Sequence, residues 1–389
     1  MPVIDAIAAR ADEMRDWRRH LHRHPELGFD LPGTAAFVAA RLRDIGVDAI
    51  HEGIARTGLV AIVEGRGPGP TIGLRADMDA LPIHEASGVE HASLNPGRMH
   101  ACGHDGHTAM LLGAARYLAA TRAFSGRVAL IFQPAEEGGA GGDVMVREGI
   151  MERFEIAQVY GLHNVPGLAE GTVATAPGPL LAAADTFEVE IRGAGGHAAM
   201  PHETRDPVPA AVAIAAALPT IVSRNRNVAD DLVLSVTQIH AGSADNIVPA
   251  TAMLGGTVRT FEAAVQDMVE RRMGEVVAGT AAAYGVEATL RYERGYPATV
   301  NDPDRAAFAV EVAREVAGAV EPNVRREMGA EDFAYMLRAR PGAYLFVGAG
   351  PGAALHHPAF DFNDAIAPLG ASLLARLVER AQPLSNEAA

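Results

Sequence analysis

The chain has 389 residues, 49% hydrophobic and 21% charged, with a formal net charge of -15. That length supports two domains with a large buried core, and the composition is that of an ordinary globular protein. The negative balance argues against nucleic acid or an anionic membrane as the main partner, and the single cysteine, Cys102, excludes an intramolecular disulfide and fits a reducing compartment.

The start, Met1-Pro2-Val3-Ile4-Asp5, runs into the charged stretch Asp12–Arg19 without an apolar signal core. Apolar runs such as Ala210–Leu218 are too short to span a bilayer, so a cytoplasmic protein is expected. Residues from about Ile4 to Leu21 read as a helix, and Thr34–Ile45 has helical spacing that stops at Gly46. Short apolar segments bounded by glycine and proline follow: Gly58–Glu64, Thr71–Leu74, Val128–Phe132, Val159–Leu162 and Ala343–Val347. Helical patterns such as Thr108–Ala120 lie between several of them, which predicts an α/β layered sheet.

From Asp185 the rhythm changes. A strand at Asp185–Ile191 precedes a helix at Pro207–Val222, strands at Leu232–Ile239 and Ala252–Thr260, a helix at Glu262–Tyr284 and a strand at Val286–Tyr292. The order β-α-β-β-α-β is ferredoxin-like. Residues 181–294 are therefore expected to form an α+β domain inserted into a catalytic domain made of residues 1–180 and 295–389. No internal repeat, heptad run or low-complexity tract interrupts this reading.

The chemistry-bearing residues follow strand ends. Asp77 and Asp79 come after Thr71–Leu74, Glu136 and Glu137 after Val128–Phe132 through Gln133-Pro134-Ala135, and His163 after Val159–Leu162. In open α/β sheets, sites gather in the crevice at the carboxyl ends of strands. The stretch Met99-His100-Ala101-Cys102-Gly103-His104-Asp105-Gly106-His107 packs a thiol, imidazoles and a carboxylate together, a donor set suited to a divalent transition metal. Asp105 also has the chemistry to cap the Thr108–Ala120 helix. Glu136-Glu137 reads either as a solvated acidic turn or as a loop close to a ligand, given Pro134 before it and Gly138, Gly139, Gly141 and Gly142 after it. His163 reads as a ligand or as a core histidine bonded to a carbonyl, and His356-His357 by itself selects neither residue.

Taken together, these segments resemble the dinuclear-metal aminoacylase and carboxypeptidase G-like amidohydrolase superfamily, in its hippurate hydrolase and auxin-conjugate amidohydrolase branch. The likeness rests on His22-Arg23-His24-Pro25-Glu26-Leu27-Gly28, Leu74-Arg75-Ala76-Asp77-Met78-Asp79-Ala80-Leu81-Pro82, Met99–Asp105 and Gln133–Gly139. It continues through Gly161-Leu162-His163, Gly196-His197-Ala198-Ala199-Met200-Pro201-His202, Gly329-Ala330-Glu331-Asp332-Phe333 and Leu355-His356-His357-Pro358, in that order. The resemblance implies a metallopeptidase-like catalytic domain with a mixed sheet flanked by helices, and an inserted ferredoxin-like lid and dimerisation domain.

By the same resemblance the metal ligands are Cys102, His104, Glu137, His163 and His356, holding two divalent ions (zinc, manganese or cobalt), with Glu136 as general base. Two such ions, roughly 3.5–4 Å apart, activate a water for attack. The superfamily's usual His-x-Asp motif is here Asp77-Met78-Asp79, without the ligand histidine; Asp79 keeps the place of the aspartate that orients a ligand. His197 matches the histidine that stabilises the oxyanion, and Asn246 and Arg259 match groups that hold the substrate carboxylate. Read without the resemblance, Asn246 is a turn residue and Arg259 a solvated strand charge.

The function expected is metal-dependent hydrolysis of the amide bond of N-acyl amino acids, in a homodimer with hinges near 181 and 294. The alternatives are a dipeptidase or an N-acetyl-diamino-acid deacetylase on the same site, and a non-catalytic metal or acyl-amino-acid binding protein. The presence of Glu136 speaks against the last, since binding alone needs no general base.

Overall fold

The computed structural model describes residues 3–384, which divide into two compact units. One is built from the chain up to Leu180, Thr299–Arg325 and the chain from Asp332 onward; the other comprises Leu181–Ala298 and Arg326–Glu331.

The first unit is organised on an eight-stranded mixed sheet. Its strands run in the order Ala49–Ile54, Gly58–Glu64, Arg127–Gln133, Thr71–Asp77, Ile156–Val165, Gly342–Gly348, Thr172–Ala174 and Ala319–Glu321. The adjacent strands Arg127–Gln133, Thr71–Asp77, Ile156–Val165 and Gly342–Gly348 are mutually parallel. They are buried along almost their whole length, which is why they read as unbroken apolar runs rather than alternating ones. The helices Ala11–Arg23, Pro32–Ile45 and Ala367–Ala381 pack around His104–Thr121, whose small and apolar residues are buried on nearly every side.

Several boundaries differ from the sequence reading. The expected helix Ile4–Leu21 is two helices, Asp5–Ala8 and Ala11–Arg23, separated at Ala9-Arg10, where Arg10 leaves helical geometry. Both pieces keep the same apolar spacing, so periodicity hides the break. The helix expected over Thr108–Ala120 begins four residues earlier, at His104. Strand Thr71–Asp77 carries Arg75 and Asp77 inside the sheet, beyond the apolar run that marked it. The strand Ala49–Ile54 and the helices Pro303–Val316 and Ala367–Ala381 are additional elements.

The second unit is a four-stranded antiparallel sheet, in the order Leu232–Ala241, Thr251–Thr260, Ala183–Arg192, Glu287–Tyr296. Its core gathers Phe187, Val189, Leu254 and Val258 of the strands with Ile214 and Met273 of the helices Pro207–Ala217 and Ala263–Tyr284. Strand order and helix placement are those of the ferredoxin-like pattern. The apolar stretch from Pro207 breaks near Leu218-Pro219 into two helices, Pro207–Ala217 and Thr220–Arg224, and buries Ala210, Ala211, Ile214 and Ile221 in this core. Residues 295–298 and 326–331 also belong here, whereas the change of rhythm along the sequence places them in the other domain. The Arg326 guanidinium pairs with Asp231 at 2.8 Å and lies over the Phe261 ring, and Ala182 N–H donates to the Gly329 carbonyl at 2.8 Å. Nothing in the composition of 326–331 marks this return.

Candidate active site

The parallel strands deliver the polar residues of the first unit to their carboxyl ends. Asp79 lies two residues past Asp77, Glu136 and Glu137 three and four past Gln133, and His163 near the end of Ile156–Val165. Cys102 precedes the His104–Thr121 helix. Between them, Gly103 has φ +97°, and a Cβ there would lie 2.1 Å from Asn164 Oδ1. Only glycine fits this left-handed and crowded position. The turn drives the His104 side chain into the interior, where Nδ1 donates to the Asp79 carbonyl at 2.9 Å.

His163 is held in a similar way. Its Nδ1 donates to the Asn164 carbonyl at 2.7 Å, which leaves Nε2 facing Cys102 Sγ at 3.3 Å. Such bonds fix the tautomer and leave Nε2 as the free lone pair. His356 adopts φ +63°, its backbone N–H donates to the Ala101 carbonyl at 2.7 Å, and its Nε2 lies 3.2 Å from Glu137 Oε1. The neighbouring His357 turns away: its Nδ1 accepts from Ala359 N–H at 3.0 Å and closes a local turn. Asp79 accepts the N–H groups of Glu136 at 2.9 Å and Glu137 at 3.1 Å, and so holds the backbone of both glutamates.

Electrostatics follow from burial and from this crowding. Burial opposes a charge on His104, yet Asp77, Cys102 and Asp79 hold its pKa well above the ordinary value. Burial and the neighbouring His107 push His163 well below it, so His163 is neutral. Burial pushes the Cys102 thiol up. Glu137 lies low despite burial because His356 and His104 face it, and His356 is raised in return by the Glu137 carboxylate.

The ligand atoms form overlapping groups, each with its atoms within 4.8 Å of one another: Cys102, His104 and His163; Cys102, Glu137 and His356; His104, Glu136 and Glu137. His104 Nε2 is buried and has no hydrogen-bond partner among the described residues. A buried imidazole nitrogen left unbonded is costly unless something else meets it. Thiol, imidazole and carboxylate donors converging on such an atom fit a divalent metal, which would favour the thiolate against the cost of burial.

The remaining expected residues, His197, Asn246 and Arg259, lie in the second unit. His197 and Asn246 come together on the two-stranded ladder of Gly196–His197 with Ile247–Val248, where Ala198 N–H donates to the Asn246 carbonyl at 3.0 Å. Both side chains are exposed. Arg259 lies on Thr251–Thr260 in the four-stranded sheet, half-buried, with Nη1 bonded to Thr257 Oγ1 and to the Val258 carbonyl at 3.1 Å.

Other buried polar residues surround the centre, and the sequence alone does not show what they pair with. His107 donates from Nδ1 to Asp77 Oδ1 at 2.7 Å and sits 2.7 Å from Asn164 Oδ1 through Nε2. Arg75, 1% exposed, donates to Asp77 at 2.7 Å, Asp332 at 2.9 Å and Gln133 at 2.9 Å. The signal for this network is Arg75 and Asp77 continuing an apolar strand: a charge inside a buried parallel sheet must be paired. Asp105 does not cap the helix from outside. It sits in the first turn, accepts from His22 Nδ1 at 2.8 Å, and favourably opposes the positive end of the helix dipole.

Comparison with known proteins agrees with this arrangement. Residues 73–380 match peptidase family M20/M25/M40. The chain is 42% identical over 348 residues to N-acetyl-L-cysteine deacetylase of Bacillus subtilis (strain 168), covering 89% of this chain and 83% of that protein. It is 36% identical over 379 residues to hippurate hydrolase of Campylobacter jejuni, covering 97% and 98%. Among solved structures, the Bacillus subtilis YXEP protein, described as a dinuclear metal binding peptidase from the M20 family, superposes with TM-score 0.86 at 34% identity, covering 96% of this chain and 99% of that one. With its mixed sheet, its inserted antiparallel unit and its cluster of thiol, imidazole and carboxylate donors, the chain belongs to peptidase family M20/M25/M40.

Proposed function

We propose that this enzyme hydrolyses the amide bond of N-acyl amino acids to a carboxylic acid and a free amino acid, using two divalent metal ions. The observation that carries the reading is the convergence of Cys102, His104, Glu136, Glu137, His163 and His356 in overlapping donor groups. Because Cys102 occurs in one group with His163 and in another with His356, two adjacent ions are the economical assignment, with Cys102, His104, Glu137, His163 and His356 as ligands. When bound, such ions polarise the scissile carbonyl and lower the pKa of the attacking water.

Glu136 takes the proton from that water as its oxygen attacks the amide carbon. As the carbon–nitrogen bond breaks, Glu136 returns the proton to the departing nitrogen, which leaves as the amine of the free amino acid. Asp79 keeps both glutamates in place through their backbone N–H groups. By the family resemblance, with which their side-chain chemistry is compatible, His197 is assigned the oxyanion, and Asn246 and Arg259 the substrate carboxylate. The proposal also includes a homodimer through the second unit, whose sheet ends in the edge strands Leu232–Ala241 and Glu287–Tyr296 and exposes Ile239. N-acetyl-L-cysteine deacetylase and hippurate hydrolase among the relatives support acyl groups from acetyl to benzoyl.

The test is a panel of hippurate, N-acetylcysteine, an N-acetyl-diamino acid and a dipeptide, offered to chelated protein and to protein resupplied with zinc, manganese or cobalt. Turnover of N-acyl amino acids that is lost on chelation and restored by metal is expected. Undiminished turnover in metal-free protein, verified by elemental analysis, would end the reading.

A further inference from the structure

The two glutamates sit on the irregular loop 134–140, between strand Arg127–Gln133 and helix Gly141–Arg147. This loop is tightly wound. Ala135 has φ +57°, Gly141 N–H donates to the Ala135 carbonyl at 3.0 Å, and a Cβ on Gly141 would lie 1.7 Å from the Pro134 carbonyl oxygen. Asp79 holds its middle. Both of its ends meet on a different carboxylate. Asp332 accepts from Gln133 Nε2 with both oxygens, at 2.7 and 2.8 Å, and from Gly142 N–H with Oδ2 at 2.8 Å.

Asp332 is fully buried, and its charge is met by Arg75 Nη2 at 2.9 Å. The same guanidinium holds Gln133 Oε1 and Asp77 Oδ2, and Asp77 in turn holds His107. A buried ionic network of this kind is often no more stable than a well-packed apolar one of the same volume. What it supplies is direction, because each donor must point at its acceptor.

We propose that Asp332 is a positioning residue for the Glu136–Glu137 loop, clamping its two ends so that both carboxylates are held in register with the metal ligands. The inference rests on the roles proposed above for Glu136 and Glu137. The chemistry at position 332 is demanding. Oδ1 receives Arg75 and Gln133, and Oδ2 receives Gln133 and Gly142, so the amide nitrogen of an asparagine in either orientation would face a donor. Asp332→Asn keeps the volume and frees the loop.

The experiment compares wild type and Asp332→Asn, each loaded with cobalt and assayed on hippurate well below its melting temperature. Displacing a reacting group by about 1 Å costs up to roughly 100-fold, so kcat is expected to fall about 10- to 100-fold with KM unchanged. The cobalt d–d absorption should shift, because Glu137 rides on the same loop, while the thiolate-to-cobalt band from Cys102 persists. A purely structural Asp332 would lower the melting temperature and leave kcat and the d–d spectrum as in wild type, which would overturn the proposal. If Asp332→Asn does not fold, Gln133→Met decides, since it removes the Gln133 end of the clamp together with the bond from Arg75 Nε, and leaves the Asp332–Arg75 pair and the Gly142 end. A several-fold loss of kcat with a shifted d–d spectrum supports the clamp, and wild-type values for both overturn it. A wild-type enzyme inert on every N-acyl amino acid would instead count against the proposed function, and the cobalt spectra would still report on Asp332.

Discussion

Glu136 and Glu137 share a peptide bond but face different surroundings. Glu137 Oε1 lies 3.2 Å from His356 and joins the group with Cys102, whereas Glu136 is 7% exposed and shares a group with His104 and Glu137 but none with Cys102 or His356. In the proposed mechanism this asymmetry corresponds to a division between base and ligand. Glu136→Gln is expected to keep its metal and lose turnover by ~10²–10⁴-fold, the range for a positioned base. Glu137→Gln is expected to lose metal first. Elemental analysis beside kcat decides: equal metal loss in both variants, with Glu136→Gln keeping its rate per bound metal, would reverse the roles. Cys102, His104, Glu136, Glu137 and His163 are legible as candidates because each follows a recognisable strand or shares the cysteine's short polar stretch, whereas His356 is selected only by the family resemblance. Arg75, Asp77 and His107 stand in the same motifs but have no legible role. Their contribution is defined by what they pair with, and Asp332 lies 257 positions from Arg75.

Among the elements, the helix Ala11–Arg23 does more than cover the sheet. His22, at its last turn, reaches Asp105 in the first turn of His104–Thr121 at 2.8 Å and Glu85 at 3.2 Å. Arg18, His91 and His100 also face it. Burial works against a charge on His22, but the bonds to Asp105 and Glu85 outweigh burial and Arg18 and raise its pKa to about 9. A histidine raised in the folded state contributes stability that is fully present below its unfolded value near 6.5 and is lost as pH rises through about 9. Each tenfold gain in proton affinity is worth ~1.4 kcal/mol, so the contribution is on the order of 3 kcal/mol. Denaturant midpoints of wild type and His22→Gln should therefore differ most at about pH 6 and converge towards about pH 10. A difference that stays constant across that range would show the ion pair to be uncharged. Strands are the most legible elements, since burial on both faces leaves an apolar run. The start of His104–Thr121 is not legible, because His104, Asp105 and His107 turn polar groups towards a polar centre and so erase the apolar spacing by which a helix is read.

At the scale of the whole molecule, a net charge of -15 sets a field that repels an anionic substrate, so recognition of a free carboxylate needs a local cation. The two-part architecture is legible from the change of rhythm at residue 185, but the membership of 326–331 is not, because a short crossing segment carries no periodicity of its own. The role of Arg259 is not legible either without the family resemblance, as a lone arginine on a strand is usually solvated. Arg259 is half-buried on a central strand of its sheet, and its guanidinium bonds Thr257 Oγ1 and the Val258 carbonyl, with no carboxylate in hydrogen-bonding contact among the described residues. A guanidinium held this way is available to a substrate carboxylate in a bidentate fork. Hydrogen bonds to a charged group contribute roughly 1.5–3 kcal/mol, which corresponds to a loss of about 10- to 100-fold in kcat/KM when the partner is removed. Arg259→Ala should show that loss on hippurate and little change on the corresponding amide, which lacks the anionic carboxylate. Equal losses on both substrates would assign Arg259 to the integrity of its strand and leave carboxylate recognition to other groups.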